Sequence, residues 1–196
     1  MTAGTDTPRR LQIEEAASAL FRERGYAATS VRDIARALNL QGGSLYAHMA
    51  SKEDVLWSIV TRAADRFNSE VGPIAAQTES SPADRLAAMI RAHVGVVTTI
   101  QKDAAVFQHE WRFLSPSRRA EMQARRDAYE AVFRDVIREG ISSGDFREVD
   151  VRTTAMAILS ALNGIPTWYR PTGQLTAEEI ADRHADLFLR ALENKQ

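Results

Sequence analysis

Apolar residues recur every three or four positions along almost the whole chain, and no stretch alternates as a half-buried strand would. Ile13, Ala16, Ala17, Leu20 and Phe21 share one face of a first helix, which Gly25 is placed to end. Ser30 followed by Asp33 has the spacing of a capping box, so a second helix is expected there, turning Val31, Ile34, Ala35 and Leu38 inward. Asn39 suits the left-handed conformation of a tight turn, and a third helix is expected over 41–49. Ser51 with Asp54 repeats the capping pattern and opens a fourth helix lined by Val55, Leu56, Ile59, Val60, Ala63 and Phe67.

Gly72-Pro73 and the run 78–82 carry turn residues, so a break is expected after the fourth helix. Further helices follow over about 83–100, 104–113, 117–140, 151–167 and 176–194. In 117–140 the periodic positions are Ala124, Ala128, Val132, Phe133, Val136 and Ile137, with Gly140 and Gly144 marking the end. The pattern predicts an all-α chain of about nine helices. It divides into an N-terminal three-helix unit, residues 1–54, and a larger helical bundle, residues 55–196.

Two short helices joined by a tight turn form the helix-turn-helix geometry that places one helix in a DNA major groove. Gly43 lets the third helix approach a neighbouring backbone closely, and Leu45 is expected in the small core. Tyr46 and His48 diverge around that helix, and both side chains are good donors to phosphate oxygens. Lys52 adds charge at a helix N-terminus, whose own N–H groups favour an anion. Gln41, Gly42, Ser44 and Ala47 are left facing base edges.

Charge qualifies this picture. The chain carries a net charge of −1, and residues 1–54 hold seven basic side chains against seven acidic ones. Between Ile34 and Lys52, however, there is no acid, while Arg36 and Lys52 remain, so the candidate DNA face is only locally positive. Affinity then needs helix N-termini and two copies of the site. The chain has no cysteine, which excludes disulfides, thiolate metal sites and thiol nucleophiles. No apolar run is long enough to span a bilayer, and residues 1–10 lack the apolar stretch of a secretory signal, so a cytoplasmic protein without membrane contact is expected.

Read together, Leu20-Phe21-Arg22-Glu23-Arg24-Gly25-Tyr26, Thr29 to Ala35, Gly43 to Met49 and Ser51-Lys52-Glu53 resemble the N-terminal signature of the TetR family of transcriptional regulators. The resemblance implies a homodimer on palindromic double-stranded operator DNA, with a C-terminal ligand-binding and dimerisation bundle. Carried over by position, Tyr46, His48, Lys52 and Thr29 or Ser30 hold phosphates, and Gln41, Gly42, Ser44 and Ala47 face bases, with Gly43 in the same helix. Two departures stand out: Asn39 and Gln41 replace a usual Gly and Ser, and Met49 replaces a usual Phe. Met49 fills the aromatic's space, and Gln41 is placed to alter the operator sequence.

The C-terminal stretches Glu110-Trp111-Arg112, Glu139 to Arg147 and Trp168 to Thr176 are similar to a branch of the family whose members sense acyl-CoA thioesters. The resemblance implies a ligand-released repressor. A regulator of an efflux pump sensing a lipophilic drug is the alternative.

An acyl-CoA site needs an apolar slot and cations for phosphates. Candidates are His93, His109, Glu110, Arg112 and Asn163, with Phe107, Phe113 and Met156 as apolar lining. Arg118, Arg119, Arg125 and Arg126 either meet ligand phosphates or form a solvated helix face. Met156, Leu159, Leu162, Ile180, Leu187, Phe188 and Leu192 lie on the last two helices, which the family pairs across a dimer. None of the histidines at 48, 93, 109 and 184 has a metal-binding spacing, and neither a phosphate loop nor a nucleophile elbow occurs, so no catalytic residue, metal or cofactor is expected. A solid helical interaction module is the other rival.

Overall fold

The computed structural model describes residues 8–40, 45 and 47–194. Among them it is all-α: α1 (Pro8–Arg24), α2 (Val31–Ala37), α3 (Lys52–Ala75), α4 (Pro82–Thr99), α5 (Gln101–His109), a 3-10 turn (Trp111–Phe113), α6 (Pro116–Ser143), α7 (Val151–Trp168) and α8 (Ala177–Leu192). Beyond the helices there is one isolated antiparallel bridge between Phe146 and Glu193. No described helix is long and apolar enough to cross a membrane.

The chain forms two compact units, Met1–Ala63 with Lys102–Met122, and Ala64–Gln101 with Gln123–Gln196. The first therefore takes in a stretch that sequence order alone assigns to the bundle. Its core contains Ile13, Ala17, Phe21, Ile34, Leu45, Leu56, Ile59 and Val106, all with at most 1% exposure. In the second unit α4 packs along α7 and α8. Met89, Ile90, Val97, Phe133, Ile158, Leu162 and Ile165 fill its centre.

Most helix starts are chemical. The hydroxyls of Ser30, Ser81 and Thr176 and the carboxylate of Asp150 each accept an N–H from the first turn, as N-caps do.

Four expectations change. The expected break falls at 76–81 and does not begin at Gly72-Pro73, because α3 continues through Pro73 to Ala75. Pro73 lies two residues from the end of α3 and Pro166 two from the end of α7, so each forfeits an N–H bond and crowds the i−4 carbonyl only at the helix end. Gly140 does not stop α6 either; a side chain there would meet the Phe146 ring, and the helix ends at Gly144, where φ is +84°. The helix expected over 104–113 divides after His109 into α5 and the 3-10 turn. Finally, Ala124 and Ala128 are exposed; α6 buries the expected Phe133, Val136 and Ile137 together with Met122. Large side chains, not alanines, decide which face of a helix turns inward.

Candidate nucleic-acid interface and a polar core

The interface is built on the turn after α2. Ser30 caps α2 with a full capping box: its hydroxyl accepts the Asp33 N–H at 3.2 Å, and Asp33 accepts the Ser30 N–H at 2.9 Å. Thr29 is buried, and its hydroxyl donates to the Gly25 carbonyl at 2.9 Å, so of the Thr29–Ser30 pair only Ser30 is exposed. Asn39 takes φ +54°, the left-handed conformation expected of the turn, and the Leu40 N–H bonds back to the Ala35 carbonyl at 2.9 Å.

Beyond it, Gln41, Gly42, Gly43, Ser44 and Tyr46, the main candidates for DNA contact, lie outside the described residues. Leu45 is fully buried, and the His48 and Met49 N–H groups donate to its carbonyl at 2.9 and 3.2 Å. Met49 is buried as expected, while Ala47 and His48 are exposed. His48 borders a cleft of about 300 Å³ with Arg10, Glu14, Met49, Trp57 and Arg118.

Lys52, at the start of α3, is only half-exposed. Its ammonium donates to the carbonyls of Tyr26 at 2.8 Å and Thr29 at 2.7 Å, and lies 4.0 Å from the Tyr26 ring centroid. Burial lowers its pKa from the ordinary lysine value. An ammonium has three N–H donors, so two carbonyls leave one for a phosphate.

The acids beside it share one cationic partner. Glu53 accepts the Ser115 N–H at 3.0 Å and lies 3.3 Å from Arg118, while Asp54 accepts from Arg118 at 2.5 Å. Hydrogen bonds from Ser115 to Glu53 and from Ser51 to Asp54, together with the Arg118 charge, hold both carboxyls below their usual range. Arg118 thus offsets part of the acidic charge beside Lys52, a role intermediate between the two expected for the arginine stretch. Arg125 pairs with Asp65 at 2.9 Å.

Sequence spacing missed a second feature of the first unit. Glu14 is 1% exposed and pairs with Arg62, whose guanidinium also reaches Asp103 at 2.8 Å. Ser18 donates to Asp103 at 2.6 Å and Ser58 to Glu14 at 2.6 Å. This ties α1, α3 and α5 with buried charge, which is tolerated only when paired. The available signal was phase: Glu14 shares a helix face with Ala17 and Phe21, and Arg62 with Val55 and Ile59.

The second unit holds a polar cluster in an aromatic surround. His93 is 1% exposed, with Nδ1 2.9 Å from the Tyr129 hydroxyl and Nε2 3.2 Å from Asn163 Oδ1. Asn163 accepts from Nε2–H, and Nδ1 accepts from Tyr129. Burial pushes the His93 imidazole down to about 4 and raises the Tyr129 phenol, so both are neutral. Phe67 lies 4.8 Å from the imidazole, centroid to centroid, and Phe133 6.5 Å.

Of the expected effector residues, the structure therefore brings together His93 and Asn163, joined by Tyr129, which the sequence did not single out. Met156, in the same unit, is 48% exposed. Phe107, His109, Glu110, Arg112 and Phe113 belong to the first unit. There Phe107 is buried, His109 and Arg112 are exposed, Glu110 accepts the Tyr26 N–H at 3.0 Å, and Phe113 stacks on the Tyr26 ring. On α7 and α8, Leu162, Ile180 and Leu192 point into the unit's core, whereas Met156, Trp168 and Leu187 are exposed.

Comparison with known proteins places these features. Residues 13–59 match the family model for bacterial regulatory proteins of the tetR family, and residues 79–192 match a tetracyclin repressor-like C-terminal domain. The chain is 31% identical over 189 residues to the HTH-type transcriptional repressor KstR2 of Mycobacterium tuberculosis, covering 95% of this chain and 94% of the relative. The solved structure of ketosteroid transcriptional regulator KstR2 from that organism superposes with a TM-score of 0.91 at 30% identity, covering 100% of both chains. AibR in complex with isovaleryl coenzyme A and operator DNA superposes with a TM-score of 0.82 at 30% identity, covering 91% of this chain and 97% of that one.

Proposed function

Because the chain belongs to the TetR family of bacterial regulatory proteins, we propose that it is a homodimeric repressor released from palindromic operator DNA by an acyl-CoA thioester. Residues 1–54 carry the DNA-reading surface, and 55–196 carry the effector and dimer sites, although Lys102–Met122 pack with the first unit. His48, Lys52 and Ser30, with Tyr46, hold phosphates. Gln41, Gly42, Ser44 and Ala47 face bases, with Gly43 in the same helix.

Whole-length similarity to a solved regulator that holds both isovaleryl coenzyme A and operator DNA carries the effector class. The neutral cluster of His93, Tyr129 and Asn163 supports it, since it puts hydrogen-bonding groups among the aromatic rings of Phe67 and Phe133, the mixture a thioester with an acyl chain calls for. Phe107, His109, Arg112 and Met156 stay in the candidate set, the exposed Arg112 guanidinium being suited to a coenzyme A phosphate. A homodimer is supported by Met156, Trp168 and Leu187, large apolar side chains left exposed on α7 and α8. The reading involves no catalysis.

The test uses a duplex that the full-length protein selects from a random-sequence library. A panel of short, branched, aromatic and steroid-derived acyl-CoA thioesters, their free acids and lipophilic drugs is titrated into the complex. Release by a thioester at micromolar concentration, but not by its free acid, is the expected result. Release by drugs alone would replace the effector class with the drug-sensing alternative.

A further inference from the structure

Lys52 does not hold itself in place. Its ammonium rests on the loop between α1 and α2, against the Tyr26 and Thr29 carbonyls and the Tyr26 ring. Tyr26 is in turn fixed from the other side. Its N–H donates to Glu110 Oε2 at 3.0 Å, and its ring stacks on Phe113 at 5.7 Å with an interplanar angle of 26°. Phe21 closes the edge at 5.1 Å. Every one of these groups belongs to the first compact unit.

The contacts form an unbroken series: the 3-10 turn and the Glu110 before it hold Tyr26, and Tyr26 holds Lys52. Resting on the operator-binding reading above, we propose that Glu110 and Phe113 are positioning residues that set the Lys52 ammonium at its phosphate.

The chemistry suits positioning better than effector binding. Glu110 spends a carboxylate oxygen on a backbone N–H that the loop would otherwise leave to solvent. Phe113 is 47% exposed, so its ring covers Tyr26 and is not needed to fill a core. A cation on a ring face is held only while the ring stays oriented. Tilting Tyr26 therefore moves both the ring and the carbonyl that Lys52 uses.

Salt dependence of DNA binding isolates this effect, because each phosphate neutralised contributes about −0.9 to the slope of log K against log salt. Replacing Lys52→Ala in a dimer removes two such contacts and should reduce the slope by about 1.8. Phe113→Ala combined with Glu110→Ala should reduce it by a similar amount, and adding Lys52→Ala to that pair should change little more. Glu110→Gln keeps an acceptor oxygen and should restore the wild-type slope. An unchanged slope in the Glu110 and Phe113 variants, with Lys52→Ala reducing it, would overturn the proposal.

Should Lys52→Ala leave the slope unchanged, the phosphate role assigned to Lys52 fails and not the positioning. The positioning is then read without DNA, from acylation of Lys52 by an N-hydroxysuccinimide ester followed by mass spectrometry. Labelling several-fold faster in Phe113→Ala than in wild type supports it, and an equal rate refutes it. Phe113→Ala removes a half-exposed ring, so circular dichroism should match wild type.

Discussion

His93 shows how much one buried side chain can dictate. Its imidazole is neutral because burial pushes its pKa down to about 4 from an ordinary 6.5. The folded value lies below the unfolded one, so the penalty is absent above pH 6.5 and grows as pH falls towards 4. Over that window the unfolded chain binds a proton that the folded one refuses, at a cost approaching about 3 kcal/mol. His93→Gln keeps hydrogen-bonding capacity without titrating. Urea unfolding at a series of pH values should then show wild type losing about 3 kcal/mol more than the variant between pH 7 and 4. Parallel curves would mean that the imidazole is protonated inside the fold.

At the scale of elements, what a glycine does depends on its neighbours. Gly140 lies mid-way along the last turns of α6, where an added Cβ would come within 2.2 Å of the Phe146 ring. Gly140→Ala should cost about 1–3 kcal/mol by overpacking. Gly95 has open space around its Cα within α4, so Gly95→Ala should stabilise by about 0.5–1 kcal/mol through helix propensity. Opposite shifts in Tm for the two variants are the check.

The same contrast explains what was legible. Caps at Ser30 and Ser51 and the turn at Asn39 were readable because their partners lie within a few residues. Pro73 and Gly140 misled because a breaker's effect depends on its distance from the helix end and on what faces it. Glu14, Arg62 and Tyr26 were passed over because their partners are remote: Tyr26 and Glu110 are 84 positions apart, and no periodicity encodes such a pairing.

For the whole molecule, the balance of charge bears on the proposed homodimer. A DNA-reading segment with as many acids as bases gains little from bulk attraction, even with Glu53 and Asp54 paired to Arg118. Two heads on one palindrome multiply a modest single-site affinity. The exposed Leu187 is the natural place to test this: Leu187→Glu should convert a dimer to a monomer in light scattering and lower operator affinity by at least tenfold. A variant that stays dimeric would move the interface away from α8.

The join at the end of α8 has a practical use. The Arg147 N–H donates to the Leu192 carbonyl, its guanidinium reaches the Ala191 carbonyl, and Phe146 bridges to Glu193. Asn194 therefore follows a stretch that is anchored to its own unit. Since the chain contains no cysteine, a thiol introduced at 194 would be a unique attachment point for a dye or spin label. Paired with a second one at the exposed Arg36 on α2, it makes a molecular ruler. Its reading with and without operator DNA and effector would test whether the proposed release changes that distance.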